Sequence, residues 1–125
     1  MDIYMDRILE LHKNPINYGE IADADIKKTD YNPSCGDMVQ VFIKLSKDRK
    51  TVADAKFTGQ GCAISIASAS LLMGAVKGRK MEEIAEMGQK EVFEMLGVDL
   101  SRNPSRIKCA MLPLVVLKKG IKEGK

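Results

Sequence analysis

Tryptophan is absent from the 125-residue chain, and aromatic residues make up only 5% of it. A core built without many large rings must come from Ile, Leu, Val, Met and Ala. No apolar run approaches the roughly 20 residues that a membrane-spanning helix needs, so a bilayer protein is not expected. The acidic neighbours of Met1 do not resemble a secretory leader, and the expected location is the cytoplasm.

Charge of one sign is also scarce. Lys and Arg number 20 against 17 Asp and Glu, a net charge of +3 at neutral pH. The signs are interspersed, and no basic stripe carries interleaved aromatics, so nucleic acid is not an expected partner. Histidine occurs once, at His12, so any Ser-His-Asp or Cys-His pairing would have to use it. At the end of an amphipathic helix it reads as a polar helix-end residue. Cysteines number three, an odd count that argues against a disulfide framework in a reducing compartment. Paired CxxC knuckles are missing, which argues against a structural zinc finger. Internal repeats and low-complexity segments are missing too.

What is present suits one domain over residues 1–125. Hydrophobic residues at 45% and charged residues at 30% describe an ordinary globular chain. Such a domain buries about two-thirds of its unfolded surface without staples.

Tyr4, Ile8 and Leu11 recur at helical spacing over Tyr4–Lys13, and Asn14-Pro15 stops that helix. Alternation of Ala22, Ala24 and Ile26 with Asp23, Asp25 and Lys27 predicts a strand from Ala22. Val39, Val41, Ile43 and Leu45 share one face of a second strand over Met38–Leu45. A polar turn over Ser46–Lys50 and a returning face of Ala53, Ala55 and Phe57 complete an antiparallel hairpin. After Cys62 the period changes. Ile64, Ala67, Leu71 and Ala75 mark a helix through Val76 that Gly78 ends, rich in small residues that let backbones approach.

Met81–Met87 and Lys90–Leu96 read as two short helices around Gly88, with Gly97 as a C-terminal cap. Asn103-Pro104 gives the last helix a cap and a proline at its first position. Its stripe is Ile107, Ala110, Met111, Leu114, Leu117 and Ile121. Pro113 lies inside it and should bend it, its missing N–H falling opposite the Cys109 carbonyl. Met73, Met81, Met87, Met95 and Met111 sit at core spacings. The pattern is α+β: a small three-stranded antiparallel sheet with an N-terminal helix and several C-terminal helices.

Chemistry concentrates at three places. Cys35 and Asp37 are separated by one glycine in Asn32-Pro33-Ser34-Cys35-Gly36-Asp37, so an extended loop would project both to one side. Cys62 follows the glycine turn Gly59-Gln60-Gly61 and opens a helix, while Cys109 lies in the first turns of the last helix. All three positions fall where loops meet elements, where functional residues sit on a rigid scaffold. Thiolate sulfur selects zinc and iron–sulfur clusters over hard cations, and the spacing does not choose between them. Asp37 would be a hard oxygen ligand on a soft centre, hence a labile one. Lys108, beside Cys109, is either a charge that stabilises a sulfur-rich centre or a solvated helix lysine.

These same residues carry a family resemblance. Asn32-Pro33-Ser34-Cys35-Gly36-Asp37, the run Gly59-Gln60-Gly61-Cys62-Ala63-Ile64-Ser65-Ile66-Ala67-Ser68-Ala69-Ser70, and Ile107-Lys108-Cys109 resemble the three cysteine motifs of the IscU/SufU/NifU-N family of iron–sulfur cluster assembly scaffolds. His12-Lys13-Asn14-Pro15 extends the likeness towards the N-terminus.

The resemblance implies a SufE/NifU-like α+β fold on which a transient [2Fe–2S] cluster is assembled from iron and sulfide and passed to apo-proteins. Cys35, Asp37, Cys62 and Cys109 would be the ligands, with Cys109 the persulfide acceptor. Lys108 would lie just outside the ligands. The implied partners are a cysteine desulfurase and recipient apo iron–sulfur proteins. The implied class is a carrier rather than an enzyme, and the apo site would also hold zinc. A zinc-dependent sulfurtransferase of the SufU kind is the other implied activity.

Two departures bear on the branch. IscU-type members carry histidine where this chain has Lys108, whereas SufU members usually carry an insertion for which the interval from Cys62 to Cys109 leaves little room. Leu112-Pro113-Leu114-Val115-Val116 replaces the Leu-Pro-Pro-Val-Lys chaperone site of IscU members, which argues against docking of the dedicated Hsp70-type chaperone. The sequence leaves open a homo-oligomer.

Overall fold

Alternation builds the centre of the molecule. In a computed structural model that describes residues 3–33 and 36–123, Val39, Val41, Ile43 and Leu45 all point to one buried face of a strand, β2 (Asp37–Leu45). β2 lies between β1 (Ile26–Asn32) and β3 (Val52–Gln60), antiparallel to both, in the order β1-β2-β3. The register sets Ile26 and Ala55 beside Ile43, and Asn32 beside Asp37. The segment before β1 closes the free edge of β3, where Gly19 N–H donates to the Phe57 carbonyl at 2.8 Å and Phe57 N–H to the Asn17 carbonyl at 3.0 Å.

The helices are α1 (Ile3–Lys13), α2 (Ala63–Val76), α3 (Met81–Ala85), α4 (Gln89–Leu96) and α5 (Pro104–Glu123). α2 packs on β3, α5 on β1 and β2, and α1, α4 and α5 close around α2. The α+β architecture is therefore the expected one: a three-stranded antiparallel sheet, one N-terminal helix and a C-terminal set. No helix among the described residues is long and apolar enough to cross a membrane.

Three local expectations are corrected. The predicted strand from Ala22 begins only at Ile26. Upstream, Ala24 N–H bonds the Ile21 carbonyl at 3.2 Å, and the Asp25 carboxylate accepts the Leu45 N–H at 2.7 Å, so the segment turns. Ala53 does not share a face with Ala55 and Phe57. A register shift between Lys44 and Leu45 makes it a bulged residue, exposed, and turns Val52 inward instead. The third correction concerns α2, whose predicted stripe included Leu71 and Ala75. Ile64 to Ser70 are buried on every side and those two only half, because Ala and Ser let four elements close on one helix.

Gly97 and Asn103 punctuate the helices as read. Gly97 takes the left-handed conformation, φ 75°, that ends α4. The Asn103 side chain accepts the Arg106 N–H at 3.3 Å where α5 begins. α5 continues through the buried Pro113. One turn earlier, Ser68 of α2 donates its hydroxyl to the Ala110 carbonyl at 2.6 Å, next to the Cys109 carbonyl that lies opposite the missing proline N–H. Met73 and Met87 are core residues, and Met81, Met95 and Met111 pack against the core, as their spacing predicts.

Candidate metal centre

Asp37 is the first residue of β2 and is 1% exposed. Its Oδ1 accepts the backbone N–H of Cys62 at 2.8 Å, which ties the start of β2 to the end of the β3–α2 connection. Gly61 makes that approach feasible. Its φ is 151°, and a Cβ there would collide with the Asp37 carboxylate. Gly59 has an analogous role, since a Cβ would run into the Met38 carbonyl on the neighbouring strand.

Cys62 is the N-cap of α2, with φ −70° and ψ 162°. Its sulfur accepts the Ser65 N–H at 3.5 Å, and the Ser65 hydroxyl donates to the Cys62 carbonyl at 3.1 Å. The thiol lies 3.8 Å from Asp37 Oδ2 and 3.7 Å from Ser65 Oγ. Cys109, on the inward face of α5, is fully buried, and Nδ2 of Asn32 stands 3.9 Å from its sulfur.

One ligand atom from each of Asp37, Cys62 and Cys109 lies within 4.8 Å of the others. Two thiolates on one tetrahedral zinc, at about 2.3 Å each, sit about 3.8 Å apart. The three groups thus converge on the space of a single ion. Among the described residues no lysine or arginine pairs with the buried Asp37 carboxylate. A buried carboxylate facing two thiols, with a backbone donor on one of its oxygens, is a donor set suited to a cation of soft character.

Of the predicted site residues, Asp37, Cys62 and Cys109 come together. Cys35 lies outside the described residues, between Pro33 and Gly36. Among the described residues on either side, the Gly36 N–H bonds the Asn32 carbonyl at 2.9 Å. Lys108 is exposed on α5, next in the chain to the buried Cys109. His12 is exposed on α1 and outside the cluster.

Sequence reasoning passed over Asn32 and Ser65. Ser65 was legible as the third residue after a capping position, the spacing at which a helix's first turn meets its cap. Asn32 was hidden because an asparagine before proline reads as a turn.

The family model for the NifU-like N-terminal domain matches residues 3–125. The zinc-dependent sulfurtransferase SufU of Bacillus subtilis is 37% identical over 95% of this chain and 89% of that protein. The iron-sulfur cluster assembly scaffold protein IscU of Thermotoga maritima is 33% identical over 97% of this chain and 94% of that protein. The crystal structure of the putative SufU scaffold of Fervidobacterium islandicum superposes with a TM-score of 0.80 at 24% identity, covering 96% of this chain and 99% of that one, a likeness of fold.

Proposed function

This chain belongs to the NifU-like N-terminal domain family, with relatives among the IscU and SufU proteins of iron–sulfur cluster assembly, and on that premise we propose that it works as a cluster assembly scaffold. The whole of residues 1–125 acts as one domain. Iron and sulfide are its cargo, held transiently as a [2Fe–2S] cluster on Cys35, Asp37, Cys62 and Cys109 and then passed to apo-proteins. A cysteine desulfurase supplies the sulfur. The observation that supports this reading is the meeting of one buried carboxylate with two cysteine sulfurs within 4.8 Å, drawn from three separate parts of the chain.

The chain's own residues divide the work. Asp37 keeps one oxygen on the Cys62 N–H while the other faces the Cys62 sulfur, so it can ligate or let go without releasing the loop. Such a ligand favours cargo that must leave. Cys109 is the proposed persulfide acceptor. Its thiolate attacks the outer sulfur of a desulfurase persulfide, a new S–S bond forms as the old one breaks, and the desulfurase cysteine departs as thiolate. The burial of Cys109 requires the groups over it to part first.

A second reading is favoured by the 37% identity to the Bacillus sulfurtransferase. In it, zinc is resident on the same side chains and sulfur alone is transferred. The donor set fits zinc, which would hold the thiols ionised.

The two readings separate in one anaerobic experiment. The purified protein, its metal content measured, is incubated with ferrous iron, cysteine and a cysteine desulfurase and followed by visible absorption. Charge-transfer bands that form and then move to an added apo-ferredoxin are the scaffold's result. Absent bands, with tightly held zinc and faster desulfurase turnover, overturn it in favour of the sulfurtransferase. Asp37→Ala should lengthen the lifetime of a cluster in the first case and disturb zinc binding in the second.

A further inference from the structure

Asn32 ends β1, stands across the hairpin from Asp37 and is 7% exposed. Its backbone carbonyl is engaged by the Gly36 N–H at 2.9 Å. Its side chain is turned into the molecule, where a carboxamide without partners is costly. The partner it has is the sulfur of Cys109, 3.9 Å from Nδ2, a long contact of the sulfur type. Nothing in the chain's local pattern demands an amide here, since the opposite end of β1 buries Ile26 at the equivalent inward position.

We infer that Asn32 is a positioning residue of the metal centre, donating an Nδ2–H to the Cys109 sulfur and fixing its direction as a ligand. The inference rests on reading Cys109 as a ligand. An N–H aimed at a thiolate stabilises its lone pairs without cancelling its charge, which a lysine or arginine would do. Groups of this kind behind a ligand orient it and tune the metal, and losing one commonly costs roughly 10- to 100-fold in metal affinity. Hydrogen bonds to ligating sulfur also shift the potential of a cluster. The two sulfurs differ in how they are served. Cys62 receives a backbone N–H from Ser65, which no side-chain substitution removes, whereas Cys109 is met by a side chain and is open to adjustment through it.

The test uses cobalt(II) alone, titrated anaerobically into the metal-free full chain, with Asn32→Leu, Asn32→Gln and Cys109→Ser compared. Asn32→Leu keeps the branching of the side chain and removes the donor. Its sulfur-to-cobalt charge-transfer band should move to longer wavelength and its cobalt affinity fall about tenfold. Asn32→Gln, which keeps a donor, should return both part of the way. A band and an affinity in Asn32→Leu equal to those of the parent overturn the inference and leave the ligand reading standing. An unchanged spectrum in Cys109→Ser removes the ligand reading and the inference with it. Should Asn32→Leu fail to fold, the parent protein loaded with cadmium-113 decides the same question. A scalar coupling from the Asn32 side-chain N–H to the metal through sulfur is expected beside that of the Ser65 N–H. Its absence while the Ser65 coupling is present overturns the proposal.

Discussion

Asp37 uses its two oxygens differently: Oδ1 binds the Cys62 N–H at 2.8 Å, and Oδ2 faces the Cys62 sulfur at 3.8 Å. Both depend on Gly61 carrying no side chain. Gly61→Ala should therefore act twice, by straining a backbone with φ 151° and by pushing the Asp37 carboxylate away. We expect a loss of about 2 kcal/mol in urea denaturation, with zinc affinity falling roughly tenfold or more. An alanine variant with parental stability and zinc affinity would contradict this placement.

Asp30 shows a different residue-scale effect. The Lys119 ammonium, 2.6 Å from its Oδ2, and the Tyr31 N–H hold its carboxyl below the ordinary value of 3.8. A carboxyl depressed in the folded state stabilises at pH above its unfolded value and ceases to do so as pH falls through the folded one. Asp30→Asn should thus melt below the parent at about pH 6, and the gap should close below about pH 4. A gap as large at the lowest pH where both proteins fold as at about pH 6 would mean that the carboxylate charge is not its source.

Among elements, α5 and β1 meet closely at Gly120. A Cβ on Gly120 would meet Ile26 Cγ2 at 2.8 Å and Lys28 Cβ at 3.2 Å. Helix propensity alone favours alanine over glycine by about 1 kcal/mol. Overpacking of a fitted interface costs about 1–3 kcal/mol, and the second effect should win. Gly120→Ala is expected to lower stability by about 1 kcal/mol in thermal or urea unfolding. A stabilised variant would show that the junction has slack.

Legibility at this scale followed burial. β2, buried on one face and alternating, announces itself, and so do the helices that carry cap residues such as Asn103 and Gly97. β1 does not, because Ile-Lys-Lys-Thr-Asp-Tyr-Asn has no apolar alternation. Two of its polar residues pair instead with α5, Lys28 with Glu123 at 2.9 Å and Asp30 with Lys119 at 2.6 Å. Partners so far along the chain leave no local trace. The Ala53 bulge was hidden for a related reason, since a register shift is a property of two strands and the alternation of one reads straight through it.

For the molecule as a whole, the sheet and α2 with α5 bring three distant stretches to one point. The chemistry of that point was suggested by the three cysteines, each at a junction of loop and element, whereas Asp37 alone could equally be an ordinary turn residue. The proximity was not derivable from spacing. It depends on Gly59 and Gly61 letting β3 and the Cys62 turn lie against β2, and on α5 lying across the sheet so that Cys109 faces inward. Asn32 was missed because its role exists only after folding, when β1 ends beside α5.

The proposed metal centre takes its ligands from Asp37, Cys62 and Cys109 together with Cys35. Zinc K-edge X-ray absorption of the zinc-loaded protein and of Cys109→Ser tests it most directly. A single zinc with three sulfurs near about 2.3 Å and one oxygen at roughly 2.0–2.2 Å is predicted for the parent, the distances of tetrahedral thiolate sites, and one sulfur fewer for the variant. A first shell of nitrogen and oxygen alone, or a sulfur count that Cys109→Ser leaves unchanged, would contradict it.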